Sequence, residues 1–241
     1  LAQDPTATKL ARLHAIWGAG QLGVREVLRL VEADVLEPDL RAAAIHVVGD
    51  IHRRGPWDEW FETRLGEVID RLEDPAPAVR RAVATSLGAV LPLVSESVRG
   101  LHDRVYALLD AVGESDPALR HALVGILVRL GTRQPALNLL EGPEWDLRDA
   151  RRLPSAHARR AAVVALRRLR DAQLREFLTD PDGGVVVEAA RAIYDEQITD
   201  AMPALAKLIE REDLKTTALV RRVLHANFRL GARENAERLA E

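Results

Sequence analysis

A short pattern recurs along the 241-residue chain and limits the folds open to it. Its clearest copy runs from Asp74 to Leu91, DPAPAVRRAVATSLGAVL, where an Asp-Pro turn precedes a helical stretch with apolar residues on one stripe. The stripe comprises Val79, Ala82, Val83, Ser86, Leu87 and Val90. A helix pair with one apolar face cannot bury that face alone, so the recurrence predicts helix pairs stacked on one another.

An arginine marks one position of the pattern, at intervals of 28 to 40 residues. This position holds Arg12, Arg41, Arg80, Arg120 and Arg159, with Val187 and Arg221 in two further copies. Variable spacing near the length of a helix pair is typical of helical repeats and not of strict heptads. Since no segment alternates apolar and polar residues as a strand does, we predict an all-α solenoid of about seven helix pairs, forming one domain over 1–241.

Turn residues set the predicted helix bounds. We expect first helices over 6–22, 38–51, 117–131 and 155–170, with proline in the first turn where its missing N–H needs no partner. The segment HRRGPW, 52–57, is predicted as a loop. A polar stretch at 142–154, GPEWDLRDARRLP, is predicted as an inserted loop.

Composition excludes several classes of function. The net charge of -3 provides no global attraction for nucleic acid or an anionic membrane. Without cysteine there is no disulfide, thiolate metal site or haem attachment motif. No apolar run is long enough to span a membrane, and the opening LAQDPTATK is not a signal peptide.

Two glycine-containing motifs resemble ligand loops but have the wrong context. Gly18 to Gly23 matches G-x-G-x-x-G, yet the residues before it are helical in pattern, whereas a dinucleotide site needs a strand there. The segment 180–184, DPDGG, lacks the later glycine and glutamate of a calcium loop and is predicted as a turn with a helix N-cap. The seven histidines form no i, i+4 pair, and no P-loop or nucleophile elbow occurs. We therefore predict no catalytic residue, no metal ligand and no bound cofactor.

Tryptophans and arginines are the candidate partner-binding residues. Exposed tryptophans anchor protein interfaces, and a basic helix on a concave face could hold phosphates. The candidates are Trp57, Trp60, Trp145, Arg160, Arg167 and Arg168. For Trp60 and its neighbour Phe61 burial is the favoured interpretation. Nucleic acid is disfavoured, because acidic residues flank the basic helix and no aromatics are interleaved with it.

The repeated helix DPAPAVRRAVATSLG, with a partner such as AMPALAKLIE, resembles the HEAT-repeat family in its short bacterial form. More narrowly, LARLHAIWGAGQLG, DPALRHALVGIL, VVVEAARAIYDEQITDAMPALAKL and RRVLHANFRLGARENAERLA resemble the HEAT region of large exported proteins of planctomycetes and relatives. In those proteins a dehydrogenase-like β-propeller precedes the repeats and a c-type cytochrome domain follows them. The resemblance implies a non-catalytic scaffold that binds proteins, in an exported or periplasmic setting. The alternatives are HEAT-like DNA glycosylases and chromophore lyases built on similar repeats.

Both ends of the chain look uncapped. The first helix is apolar at Leu10, Ile16 and Trp17, and the last segment still has a helical pattern at Leu239. A solenoid that ends in water normally carries polar capping repeats. We therefore expect the chain to be part of a longer protein whose neighbouring segments cover these ends.

Overall fold

The computed structural model describes residues 1–27, 29–30, 37–54, 59–91, 100–131, 151–153, 155–211 and 216–240. Within these ranges all regular structure is helical and no strand occurs. The chain forms two compact units, 1–140 and 141–241. The predicted insertion begins next to the division between them, but apart from 151–153 it lies outside the described residues. The prediction of a single domain stays a prediction.

The first unit stacks the first helices of successive repeats in chain order. α1 packs against α2, α2 against α4, and α4 against α6, while α3 and α5 are second helices. The bounds are α1 Lys9–Gln21, α2 Pro38–Arg54, α3 Glu59–Asp70, α4 Pro77–Val90, α5 Leu101–Val112 and α6 Pro117–Gly131. Short 3-10 helices follow α1 at Arg25–Val27 and α3 at Arg71–Glu73.

The second unit repeats this arrangement. α7 packs against α8 and α8 against α10, and the second helices pack on them. The bounds are α7 Ala156–Leu169, α8 Gly183–Asp195, α9 Met202–Lys207, α10 Thr217–Leu230 and α11 Arg233–Ala240. The 3-10 helices are Ala172–Thr179, Thr199–Ala201 and Leu208–Glu210. Seven first helices thus fall within the described ranges, and the predicted all-α, HEAT-like fold is confirmed.

Side-chain caps at the repeat turns explain where the helices begin. The hydroxyl of Thr8 accepts from the backbone N–H of Ala11, and Asp116 and Ser155 cap α6 and α7 in the same way. The predicted turn at 180–184 is confirmed, because Asp182 Oδ1 accepts from the N–H of Val185 at the start of α8. Such caps satisfy N–H groups that have no partner within the helix.

The apolar stripe of α4 forms the core of its repeat. Val79, Ala82, Val83 and Leu87 are buried, and the Ser86 hydroxyl donates to the carbonyl of Ile45 in α2. Leu65, Val68 and Ile69 of α3 and Leu72 of the following 3-10 helix are buried as well. The period of the apolar residues therefore identified the core faces correctly.

The structure corrects two predictions made from the sequence. α2 ends at Arg54 and not near Ile51, so the predicted loop at 52–57 starts as helix. The marker position lies four residues after the helix N-cap, as in Arg12 after Thr8 and Arg159 after Ser155. In α8 and α10 the N-caps are Asp182 and Thr216, which places Val186 and Val220 at this position. The predicted Val187 and Arg221 are therefore one residue out of register.

Candidate interaction surfaces

Within each unit, a first helix presents one face to the first helix of the next repeat, and we call this the forward face. It comprises the residues four, eight and twelve positions after the N-cap. The glycines at position twelve show that this face lies against the next first helix. A Cβ on Gly20 would lie 2.5 Å from a methyl carbon of Val47 in α2. Likewise a Cβ on Gly49 would lie 2.8 Å from the Ser86 hydroxyl in α4. The forward face is thus the stacking interface between repeats.

Position eight is apolar in all seven first helices. The side chains are Ile16, Ile45, Ala84, Val124, Val163, Ala190 and Leu224. The first six are at most 3% exposed, whereas Leu224 in α10 is 40% exposed. At position twelve of the same helix, Phe228 is 81% exposed. Among the described residues, the forward face of α10 is therefore a stacking surface with its apolar side chains uncovered.

Some of the arginines at position four link neighbouring repeats, whereas Arg80 donates to the carbonyls of Asp74 and Pro75 in the turn of its own repeat. Arg41 Nη2 donates to Asp74 Oδ1 at 3.1 Å. Arg159 holds Asp180 with two bonds, from Nε to Oδ2 at 2.8 Å and from Nη2 to Oδ1 at 3.0 Å. Each of these carboxylates belongs to the Asp-Pro turn that opens the next repeat. The marker arginine of the sequence pattern is therefore structural in these repeats.

Position five carries a second set of arginines with different partners. Arg81 in α4 approaches Asp116, the N-cap of α6, with an N···O distance of 3.7 Å. Arg160 in α7 approaches Asp182, the N-cap of α8, at 3.6 Å. In both cases the arginine reaches the acidic residue that caps the next first helix. α10 has Arg221 at this position.

The predicted partner-binding arginines Arg160 and Arg167 pair with carboxylates within the chain. Arg160 pairs with Asp182 as described, and Arg167 donates to Glu196 at 2.8 Å and lies 3.7 Å from Glu188. Arg168 is exposed on the same helix. All three arginines lie on α7, and carboxylates of the following repeat balance the charges of Arg160 and Arg167.

The predicted tryptophan candidates cannot be placed on a surface. Trp57 and Trp145 lie outside the described residues, and for Trp60 the structure describes the backbone within α3 but not the side chain. Their role stays a prediction. Leu224 and Phe228 are among the exposed apolar residues that sequence reasoning did not select. Their signal was present, since each occupies a forward position in the last copy of the pattern.

The first helix also has exposed apolar residues. They are Leu10 and Trp17 of α1. Both were named in the sequence as apolar residues of an uncapped end. Ile16, which was named with them, is fully buried, so the expected apolar surface of α1 is present in part.

At position twelve of α8, the aromatic residue Tyr194 contacts the first helix of the next repeat. The Tyr194 hydroxyl lies 3.5 Å from Nδ1 of His225 in α10, and the guanidinium carbon of Arg229 lies 4.3 Å from the centre of the Tyr194 ring. Tyr194 thus reaches across to two side chains of the next first helix. Phe228 is the equivalent residue of α10.

Burial shifts the pKa values of three described side chains. Burial raises the pKa of Tyr106 well above its ordinary value, with a smaller contribution from Asp103. Burial lowers the pKa values of His46 and His102, and nearby carboxylates oppose the shift. Across the described ranges, no three potential metal-ligating side chains cluster together. None of the helices described there is long and apolar enough to cross a membrane.

Comparisons with known proteins give similarity of low degree. No protein-family model and no curated protein matches the chain. Among solved structures, YibA of E. coli is 18% identical, with 94% of this chain and 77% of that chain covered and a TM-score of 0.42. An engineered protein is 17% identical over 84% of this chain and 96% of its own, with a TM-score of 0.41. The complex of CpcE and CpcF of phycocyanin lyase from Nostoc is 17% identical over 93% and 91%, also with a TM-score of 0.41.

Proposed function

We propose that this chain is a non-catalytic HEAT-like interaction domain that binds another protein through the forward face of α10. The observation that carries the proposal is the exposure of Leu224 and Phe228 at positions whose equivalents stack repeats together. Isolated exposed apolar residues are common on proteins. Two on one helix face, in register with an interface that recurs along the chain, indicate a binding surface.

The sequence resemblance to exported planctomycete-type proteins supports a setting for this binding. In that setting the domain lies between a β-propeller and a c-type cytochrome domain, outside the cytoplasm. Its role is to hold redox partners at a defined separation, and the electron-transfer chemistry belongs to them. Stacked repeats suit such a role because each repeat contacts only its neighbours and adds a fixed increment to the array.

Nucleic-acid binding is the weaker alternative. A phosphate-binding surface needs basic side chains free to replace counterions. Arg160 and Arg167 instead face Asp182, Glu188 and Glu196. The net charge of -3 also provides no long-range attraction.

Site-specific photo-crosslinking in the native host tests the proposal. Phe228 is replaced by benzoylphenylalanine, and Lys207, an exposed residue of α9, receives the same substitution as the matched control. We expect crosslinks to another protein from position 228 at much higher yield than from position 207. Partners that carry haem or a β-propeller would support the redox setting.

Other products would overturn the proposal. Equal yields from the two positions would show that α10 has no binding surface. Adducts with DNA or RNA would favour the nucleic-acid alternative, and a covalently captured tetrapyrrole would favour the lyase alternative.

A further inference from the structure

The position-five arginines identify the kind of helix that fits the forward face of α10. Arg81 and Arg160 each approach the aspartate that caps the next first helix. Arg221 occupies the same position of α10, where it is exposed and has no carboxylate partner among the described residues. We infer that this face binds a partner helix whose N-cap is an acidic residue, placed against Arg221.

The other two forward positions define the rest of the partner helix. Leu224 at position eight matches Val163 and Ala190, which are buried against the next repeat. The partner must therefore present small or apolar residues one to two turns after its N-cap. Phe228 projects at position twelve as Tyr194 does, so the partner needs a flat or aliphatic side chain there to cover the ring.

Charge argues for another protein and against a second copy of this chain. The uncovered first helix of a second copy is α1, whose N-cap is Thr8 and whose first turn contains no acidic residue. Neither α1 nor α10 contains an aspartate or glutamate. Stacking α10 of one copy on α1 of another would leave Arg221 without the carboxylate that its equivalents have. The inferred occupant is thus an amphipathic helix of another protein domain, with an aspartate or glutamate N-cap.

The inference rests on the proposed function and specifies the partner of the same site. A suitable probe is a synthetic peptide with the sequence of residues 180–196, held helical by a lactam bridge on the side away from α10. In the folded chain this segment packs on the forward face of α7, and its Asp182 meets Arg160. Binding of the labelled peptide to the intact chain is measured by fluorescence anisotropy, at low and at physiological salt.

We expect saturable binding of the peptide that depends on both the aromatic ring of Phe228 and the charge of Arg221. Phe228→Ser should weaken it about tenfold or more, as truncation of an aromatic anchor does. Arg221→Asp should weaken it about fivefold, an effect that shrinks at higher salt. The matched control Arg233→Asp, on the exposed side of α11, should leave the affinity unchanged.

A charge exchange separates recognition from nonspecific attraction. A peptide with Asp182→Lys should bind the unaltered chain weakly and the Arg221→Asp variant better. Failure of this exchange to restore binding, or no saturable binding at all, would overturn the inference. So would a dimer in sedimentation analysis that Phe228→Ser abolishes, since the face would then bind a second copy. Crosslinking of a protein at position 228 without preference for an acidic N-cap would leave the proposed function intact and refute only this inference.

Discussion

Replacing Asp180 with alanine tests the links between repeats most severely. Its carboxylate accepts two bonds from Arg159 and a third, at 2.8 Å, from the backbone N–H of Asp182. The side chains of Arg159 and Asp180 are only 8% and 2% exposed. Asp180→Ala therefore removes the charged partner of a guanidinium that stays buried.

Breaking a buried ion pair on one side costs about 3 to 5 kcal/mol. Native domains have a total stability of about 5 to 15 kcal/mol, so a large part of the stability of the second unit should be lost. The double variant Arg159→Met with Asp180→Ala removes both charges, and we expect it to recover more than half of the loss. Glu237→Gln serves as the control, because its pair with Arg233 is exposed and contributes at most about 0.5 kcal/mol.

Urea denaturation followed by circular dichroism gives the free energies of unfolding. Amide exchange resolved by peptide then assigns the loss to residues 155–211. A difference of about 1 kcal/mol is typical of any substitution. If the free energy of unfolding of Asp180→Ala differs from that of the unaltered chain by no more than this, the assignment of Arg159 and Asp180 as a stabilising link is wrong.

Three smaller predictions concern the backbone and pH. Gly20→Ala should destabilise the chain because its Cβ would meet Val47, whereas Gly18→Ala, with open space around it, should stabilise α1 by up to about 1 kcal/mol in the same denaturation experiment. Gln197 has a φ of 54°, so Gln197→Gly should raise the free energy of unfolding by about 1 kcal/mol and Gln197→Ala should not. Burial lowers the pKa of His46 in the folded chain below 6.5, so as the pH falls His46 is protonated first in the unfolded chain. The free energy of unfolding should therefore fall as the pH drops below 6.5. His46→Gln should make it less dependent on pH.

Local signals predicted most of the helix boundaries. The Asp-Pro turn before α6 and the glycine at its end set the predicted range 117–131, and the structure has Pro117–Gly131. The first helix was predicted to end at residue 22, and the next residue, Gly23, has a φ of 68°, the left-handed conformation that glycine adopts at helix ends. These features depend on a few neighbouring residues, which is why single-sequence reasoning finds them.

In the last two repeats, the residue at the marker position can be identified only from the helix N-cap, because it is not an arginine. In two of the earlier repeats the arginine at this position reaches the next turn, as Arg41 reaches Asp74 and Arg159 reaches Asp180. In α10 the residue at this position is Val220. The sequence pattern placed the marker at the adjacent Arg221 because that residue is an arginine. Counting from the N-cap Thr216 corrects it.

The candidate surface was only partly predictable. The expectation of uncovered apolar ends identified Leu10 and Trp17, which are exposed. Arg160 and Arg167 were selected for their charge, but whether a charge is free depends on partners that lie in the next repeat. Phe228 was overlooked because an apolar residue in a repeat is normally buried, and its exposure follows from the position of α10 in the stack.

Equivalent substitutions at a covered and an uncovered stacking position test the central claim most directly. Val163→Ser in α7 and Leu224→Ser in α10 both alter position eight, and the measurement is the free energy of unfolding of each variant. Val163 is fully buried, so Val163→Ser should cost about 3 kcal/mol from lost apolar burial and a buried hydroxyl. Leu224→Ser should change it by no more than about 0.5 kcal/mol, as expected for an exposed residue. A cost at Leu224 equal to that at Val163 would mean that the forward face of α10 is already covered, and would contradict this account.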